Sequence, residues 1–304
     1  MEITDKNENE IYTVDYNKNS NTLMFGGNNQ KCTIFDTASN YKISEIEGFT
    51  DSVIFVKHLQ HDTYLICTLD GNILITTSKE EKYTLCINEE ISFVEFFNNT
   101  LIIGTMNFVI YKFDIDNNWS LINQTIHFGH SSEIQQIKYD NNLIYSLSVY
   151  SFIVFDAKTS TCLLKHKLMN SICFSYIPNT ELYCIGTHEY ILFYKSTNLI
   201  NKIPMEGHPE CICYLNEYFV VGGYFNYLIL INTKMNLQTY KISIETTGIN
   251  KIIPILNYTV AFSTLCGFVG TCDIRKSDSI QLFETKVDVI FDFNFYKNIF
   301  LLEV

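Results

Sequence analysis

An internal repeat runs through the chain and leaves few folds open to it. Apolar runs closed by Asp or Asn recur, as in CTIFDT (32–37), VIYKFDI (109–115), FIVFDAK (152–158) and YLILINT (227–233). The corresponding anchor positions are Phe35, Thr76, Phe113, Phe155, Tyr194, Ile231 and Cys272. These anchors lie 41, 37, 42, 39, 37 and 41 residues apart, with a mean of 39.5. Unrelated strands would not keep so even an interval, so the chain consists of similar repeated units.

Each unit divides into four short strands. The sixth unit contains ECICYL (210–215), EYFVVGG (217–223), YLILINT and LQTYKIS (237–243), and the third unit follows the same order. Asn, Asp, Gly and Ser separate the apolar runs, and helical periodicity is almost absent. Four antiparallel strands per unit are the pattern of a β-propeller blade. We therefore predict an all-β propeller of seven four-stranded blades, each buried on both faces by its neighbours.

The end of the chain leaves two ways to close the ring. Two further strands follow the seventh unit, within KVDVIFDFNFYKNIFLLEV (286–304). Either they complete a seven-blade ring together with the N-terminal segment, residues 1–10, or they form an abbreviated eighth blade. The strand count favours the second alternative, because seven units already have four strands each. In both cases residues 11–304 form a single domain, and residues 1–10 are a candidate closing strand.

The composition excludes several classes of protein. The chain has 33 acidic and 21 basic residues, a net charge of -12 and a pI near 5.0. It is too acidic for a broad basic surface that binds nucleic acid, and too apolar for a disordered chain. The start is polar, no apolar stretch is long enough to span a membrane, and the ten cysteines are scattered. We expect free thiols and a cytoplasmic protein, with the nucleus left open as a second location.

Known catalytic motifs are missing from the sequence, and its one metal-binding pattern, the H-x-x-H of His58 and His61, is a weak zinc signal. Phosphate-binding, dinucleotide-binding and nucleophile-elbow motifs do not occur. Cys211 and Cys213 share one face of a strand but have no third ligand near them in the sequence. His188 beside Glu189 fits a polar turn better than a proton-transfer pair. We predict a non-enzymatic protein that needs neither a cofactor nor a metal ion.

The acidic residues are concentrated on one face of the predicted ring. In each blade, the loop that leads into the first strand opens on the same side as the loop between the second and third strands. The carboxylates in or beside these loops include Glu45, Glu47, Asp51, Asp70, Glu89, Glu90, Glu133, Glu189, Glu206 and Glu210. Lys286 is nearly the only cation predicted among them, whereas the opposite face carries several lysines. A solvated rim is the plain interpretation, but carboxylates around one opening also act together on a cationic partner.

Aromatic residues accompany these carboxylates in the turns between second and third strands. They include Tyr150, Tyr190 and Phe225. Exposed aromatic side chains supply contact area and stack on Arg or Lys. The combination predicts a surface that binds a basic protein or peptide, and we expect neither nucleic acid nor a membrane as a direct partner.

The units resemble degenerate WD repeats. The Trp-Asp marker of that family has a counterpart in Phe35-Asp36, Phe113-Asp114 and Phe155-Asp156, and the Gly-His marker in Gly129-His130 and Gly207-His208. The tight-turn aspartate of the family is retained only as Asp70. The resemblance implies a WD-repeat propeller whose usual polar network is incomplete in every blade, so that packing depends mainly on burial.

A closer resemblance is to the angio-associated migratory cell protein family, which includes a fungal chaperone dedicated to a large-subunit ribosomal protein. The matching stretches are 48–53, 67–71, 91–96, 103–105 and 248–273, each of them short. The resemblance implies a monomeric chaperone that holds the basic segment of a ribosomal protein on an acidic top face during ribosome biogenesis. The alternative is a WD-repeat scaffold subunit of a translation-initiation, ribosome-bound, coat or nuclear-pore complex.

Overall fold

A computed structural model describes residues 10–39, 41–60, 62–77, 81–276, 278–285, 290, 292–296 and 299–303. This part of the chain contains β-strands and turns, with no helix that could cross a membrane. All ten cysteines are free, and Cys86, Cys162 and Cys266 are exposed.

Seven four-stranded antiparallel sheets, each built from consecutive strands, form blades 1 to 7. Blades 1 and 2 comprise β1 (Ile11–Asn17), β2 (Thr22–Gly27), β3 (Cys32–Asp36), β4 (Tyr41–Ile46), β5 (Val53–His58), β6 (Thr63–Thr68), β7 (Asn72–Thr77) and β8 (Glu81–Cys86). Blades 3 and 4 comprise β9 (Ile91–Phe97), β10 (Thr100–Thr105), β11 (Ile110–Ile115), β12 (Leu121–His127), β13 (Ile134–Asp140), β14 (Leu143–Ser148), β15 (Ser151–Asp156) and β16 (Cys162–Lys167).

The later blades follow the same plan. Blades 5 to 7 comprise β17 (Ser171–Tyr176), β18 (Leu182–Thr187), β19 (Tyr190–Lys195), β20 (Asn198–Pro204), β21 (Pro209–Leu215), β22 (Tyr218–Gly223), β23 (Tyr227–Asn232), β24 (Gln238–Ser243), β25 (Ile249–Leu256), β26 (Thr259–Thr264), β27 (Phe268–Asp273) and β28 (Gln281–Glu284). All seven anchor residues lie in third strands, which confirms the repeat and the seven four-stranded blades predicted from it.

The ring closes through a separate two-stranded sheet. Strands β29 (Asp292–Tyr296) and β30 (Ile299–Glu303) pair only with each other, and they lie between β1 of blade 1 and β25 of blade 7. This arrangement is the abbreviated eighth blade that the strand count favoured. Residues 1–9 lie outside the described residues, so the role predicted for the N-terminal segment stays a prediction.

The hydrophobic core is divided among the junctions between blades. One cluster joins Leu65 and Ile75 of blade 2 to Leu101 and Phe113 of blade 3, and comparable clusters join the other neighbouring four-stranded blades. Because each inner strand is covered on both sides, β6 and β10 are buried along their whole length. Burial of this kind stabilises a repeat only through its neighbours, which is why the units occur as a ring.

Turn chemistry explains how the strands reverse. In blades 3 and 4 the first and second strands are joined by Asn98–Asn99 and Asn141–Asn142, with φ between 48° and 63° at all four residues. Two consecutive positive φ angles define the type I′ hairpin turn, in which Asn is among the favoured residues. These turns lie on the bottom face of the ring. The loops that lead into each blade and the loops between second and third strands therefore lie together on the opposite face, called the top face below.

Blade 4 retains part of the polar network typical of WD repeats. His130 Nδ1 lies 2.9 Å from Ser148 Oγ and 2.8 Å from Ser151 Oγ, while Nε2 lies 2.8 Å from Ser146 Oγ. Burial and the charge of Lys165 lower the pKa of His130 to about 3, so the ring is neutral at physiological pH. The family's Trp and turn Asp are replaced here, as the sequence indicated, but the histidine remains bonded to serine.

Candidate protein-binding site on the top face

The structure places the carboxylates predicted for partner binding at the top face, but it divides them into two groups. Some are bonded within the protein, and others are exposed and unpaired. The division follows the ring, because the bonded ones are concentrated around blades 1 and 2.

The carboxylates at the end of blade 1 form salt bridges with lysines. Lys31, in the turn between β2 and β3, has its Nζ 2.6 Å from Glu47 Oε1 and 3.9 Å from Glu45 Oε2. Lys42 contacts Glu45 as well, at 3.2 Å. Lys31 was not among the residues predicted for this face, and Lys286, the cation predicted there, lies outside the described residues. Because Lys31 is 16 residues from Glu47 in the sequence, only the fold of blade 1 brings the two together.

Asp70 in blade 2 is bonded on both carboxylate oxygens. It accepts hydrogen bonds from the hydroxyls of Thr50 and Thr68 and from Asn72 Nδ2, the last at 2.9 Å. Burial opposes ionisation, but these hydrogen bonds outweigh it and lower the pKa of Asp70. Asp51, in the preceding loop, accepts a hydrogen bond from the backbone of Ser52. We conclude that Asp70 fastens the loop entering blade 2 to the turn of that blade and has little capacity left for a partner.

Glu89, in the loop between blades 2 and 3, has one bonded and one unbonded oxygen. Its Oε1 accepts a hydrogen bond of 2.8 Å from Tyr111 Oη, and its Oε2 is buried without a hydrogen-bond partner among the described residues. Burial, this hydrogen bond and the charge of Glu89 together raise the pKa of Tyr111 to about 12. Glu89 therefore helps to hold blade 3 in place in addition to adding negative charge.

Three carboxylates of blades 3 to 5 are exposed and form no ion pair with any residue that the structure describes. They are Glu90, Glu133 and Glu189, each in a top-face loop. The described top-face loops of blades 3 to 6 contain no Lys or Arg at all. Lys165 reaches the loop entering blade 4, where its Nζ donates to the Gly129 carbonyl, but no described lysine or arginine forms an ion pair with the three carboxylates.

The junction of blades 5 and 6 is mixed in character. Glu206 is exposed, with Lys241 Nζ at 3.8 Å, and burial raises the pKa of Glu210. Tyr190 lies beneath Lys202, whose Nζ is 3.3 Å from the ring centroid. These lysines belong to outer strands, and their long side chains reach back towards the top face.

The aromatic predictions have different outcomes. Tyr150 is exposed, but Phe225 is buried and stacks on Tyr227 with 4.8 Å between the ring centroids. The expectation that Phe225 is an exposed anchor was wrong, because the turn of blade 6 folds this ring inward. Phe128 and Met169 are exposed at 69% and 79%, and neither was predicted as a site residue. The sequence signal that could have identified them is a large apolar residue in a loop that leads into a blade.

Two clefts among the described residues lie on the bottom face. One, of about 840 Å³, is lined by Lys18, Lys57 and His58 among others, and another, of about 720 Å³, by Leu256, Tyr258 and Arg275 among others. None of the predicted site residues lines either cleft. Among the described residues no group of three or more His, Cys, Asp or Glu side chains has the arrangement of a metal site.

Comparison with known proteins agrees with the fold. Residues 9–303 match the family model of the WD40-like domain. The structure of Saccharomyces cerevisiae Sqt1 is similar with a TM-score of 0.83 and 14% identity, over 96% of this chain and 89% of that chain. Chaetomium thermophilum Sqt1 bound to the N-terminus of the ribosomal protein L10 is similar with a TM-score of 0.82 and 13% identity, over 95% and 92%.

A designed protein is also among the similar structures, and it shows how far a likeness in fold can be used. A computationally designed protein, Ika8, is also similar, with a TM-score of 0.81 and 14% identity over 97% of this chain and 93% of that chain. No curated protein matches the sequence. Because a designed propeller resembles the chain as closely as a natural one does, similarity at this identity shows the fold alone.

Proposed function

Because the chain belongs to the family of WD40-like domains, we propose that it is a non-enzymatic, monomeric chaperone that holds a basic ribosomal protein on its top face. The observation that carries the proposal is that Glu90, Glu133 and Glu189 have no ion-pair partner among the described residues and lie in loops without lysine or arginine. A folded ring presents these charges from fixed positions, so little ordering is needed when a basic segment arrives.

Charge explains both the attraction and the selectivity. A single exposed ion pair contributes only about 0.2–1 kcal/mol, but several carboxylates around one opening attract a cationic segment together and repel anions. Among the similar structures, that of Chaetomium thermophilum Sqt1 contains the N-terminus of the ribosomal protein L10. A ribosomal protein segment is therefore the first partner to test. The cytoplasm and the nucleus are the compartments that this role implies, and imaging of the tagged protein tests them.

The decisive experiment reverses the charge of the unpaired carboxylates. Binding of a synthetic peptide of the L10 N-terminus is titrated by calorimetry against the wild type and the triple variant Glu90→Lys, Glu133→Lys, Glu189→Lys. We expect the variant to bind about 100-fold more weakly, since each reversal costs about 1 kcal/mol. Wild-type binding should also weaken strongly between about 0.05 M and about 0.5 M salt.

A matched variant controls for net charge. Asp62→Lys, Glu181→Lys and Asp278→Lys change three exposed carboxylates of the bottom face and alter the net charge by the same amount. We expect this variant to bind like the wild type. Equal losses of affinity in both variants would show that only the overall charge matters. Absence of binding between the wild type and the peptide would overturn the proposal. Copurification in fixed stoichiometry with coat or initiation-factor subunits would support the scaffold alternative instead.

A further inference from the structure

A phenylalanine in blade 3 occupies a backbone position that disfavours it. In the turn between β10 and β11, the Phe108 amide donates to the Thr105 carbonyl at 3.1 Å, with a φ of 69° at Phe108. The corresponding turns of blades 2 and 7 have the same hydrogen bond and use Gly71 and Gly267 at this position, with φ of 92° and 74°. A left-handed φ costs a residue with a Cβ about 1–2 kcal/mol, and strain of this kind is concentrated at functional sites.

Burial in the core does not account for Phe108. The side chain is 39% exposed, and Met106 in the same turn is 40% exposed. Ile110 pairs with His127 at the end of the β11–β12 register, so Phe128, the residue after β12, comes next to this pair on the same side as Val109 and Phe108. We call the exposed side chains of Met106, Phe108 and Phe128 the apolar patch. In the described parts of the top-face loops of blades 1, 2 and 7, no large apolar side chain is exposed to this degree.

Unpaired carboxylates flank the apolar patch. The Met106 amide donates to the Glu90 carbonyl at 2.9 Å, which fixes the turn of blade 3 against the loop that carries Glu90. Glu133 follows Phe128 in the loop entering blade 4 and precedes β13 directly. The surface is therefore acidic around an apolar centre, and its complement is a segment with basic residues on either side of a large apolar one.

We propose that the client segment is centred on blades 3 and 4 and inserts a large apolar side chain against Phe108, with basic residues placed towards Glu90 and Glu133. This assignment rests on the proposed function, and it adds the position of the segment on the ring and its amphipathic character. In this arrangement, negative charge attracts the client, while the apolar contact with Phe108 supplies most of the discrimination among basic segments.

The test uses two synthetic peptides with identical lysine content, one containing Leu and Phe and the other containing Ser at the same positions. Each peptide is titrated against the wild type and Phe108→Gly. We expect the wild type to prefer the apolar peptide about 10-fold and the variant to lose this preference. The control Leu256→Ser removes an exposed apolar side chain of the bottom face and should retain the preference.

The outcomes separate the two proposals. Equal binding of both peptides by the wild type would overturn the amphipathic client and leave the basic-partner function standing. Failure of the wild type to bind either peptide would overturn the proposed function together with this refinement. A folding defect cannot imitate the expected result, because Phe108→Gly relieves a left-handed residue and should melt at the wild-type temperature or higher.

Discussion

The turns of blades 2 and 3 have the same backbone and serve opposite purposes. In blade 2, residues 68–72 turn inward: Gly71 is buried, and Asp70 is bonded to the preceding loop. In blade 3, the turn presents Met106 and Phe108 to solvent beside Glu90, which has no ion-pair partner among the described residues. The first turn joins neighbouring blades, and the second presents side chains to solvent. A position in the repeat therefore specifies the backbone, whereas its neighbours decide how the side chain is used.

The same contrast applies to charge. Around blade 1, Glu45 and Glu47 have lysine partners, whereas Glu90 and Glu133 around blades 3 and 4 have none among the described residues. A count of acidic residues treats all four alike. We therefore expect affinity for a basic partner to depend on carboxylates without a lysine partner, such as Glu90 and Glu133, rather than on the number of acidic residues.

The largest expected effect comes from adding a side chain at Gly71, in the turn of blade 2. A Cβ on Gly71 would lie 2.5 Å from the Glu89 carbonyl oxygen and 3.0 Å from the Ile87 side chain, on a backbone with φ of 92°. We expect Gly71→Ala to lower the free energy of unfolding by about 2–4 kcal/mol, measured by urea denaturation. Phe108→Gly at the equivalent position should not destabilise the protein. Similar effects of the two substitutions would contradict the distinction between the turns.

Acid should lower the free energy of unfolding through the histidines of blades 3 and 4 at a higher pH than through Asp70 of blade 2. Burial and nearby lysines lower the pKa of His130 to about 3 and of His127 to about 4. Since the unfolded chain binds protons near pH 6.5, each histidine removes about 1.4 kcal/mol of stability per pH unit as the pH falls below that value. The lowered pKa of Asp70 makes its stabilisation persist until the pH falls below about 4.

The variant His130→Gln isolates the histidine contribution. Its free energy of unfolding should fall less steeply between about pH 6 and about pH 4.5 than that of the wild type. A measurement at about pH 8, where the histidine is neutral in both states, sets the baseline for the lost hydrogen bonds. Parallel curves for the two proteins would show that His130 is protonated in the folded state.

The smallest effect tests the pairing in blade 1. Lys31→Gln leaves Glu47 without its closest cation and should make the blade 1 sector resemble that of blades 3 and 4. We expect affinity for a lysine-rich peptide to rise about 2-fold to 5-fold, which corresponds to less than about 1 kcal/mol. Lys18→Gln on the bottom face is the matched control. An unchanged affinity of Lys31→Gln would mean that the ion pairs of blade 1 do not reduce its attraction for a basic peptide.

Much of the fold could be predicted from the chain alone. Blade boundaries follow from anchors such as Phe113 and Phe155, and hairpins follow from Asn98–Asn99 and Asn141–Asn142, because strand pairing and tight turns depend on residues close in sequence. The top-face location of the predicted carboxylates follows from the same antiparallel order. The pairing of Glu47 with a lysine could not be predicted in this way, since its partner Lys31 comes from another turn.

The repeat thus specifies a ring, the face on which its loops gather and the excess of negative charge there. Only the packed molecule distinguishes Phe225, which is folded onto Tyr227, from Phe128, which faces solvent, although both are aromatic residues in top-face loops. The reason is the range of the forces involved. Hydrogen-bonded strands form between neighbours in the chain, whereas the burial of an aromatic ring and the pairing of a carboxylate depend on side chains that meet only when separate loops come together.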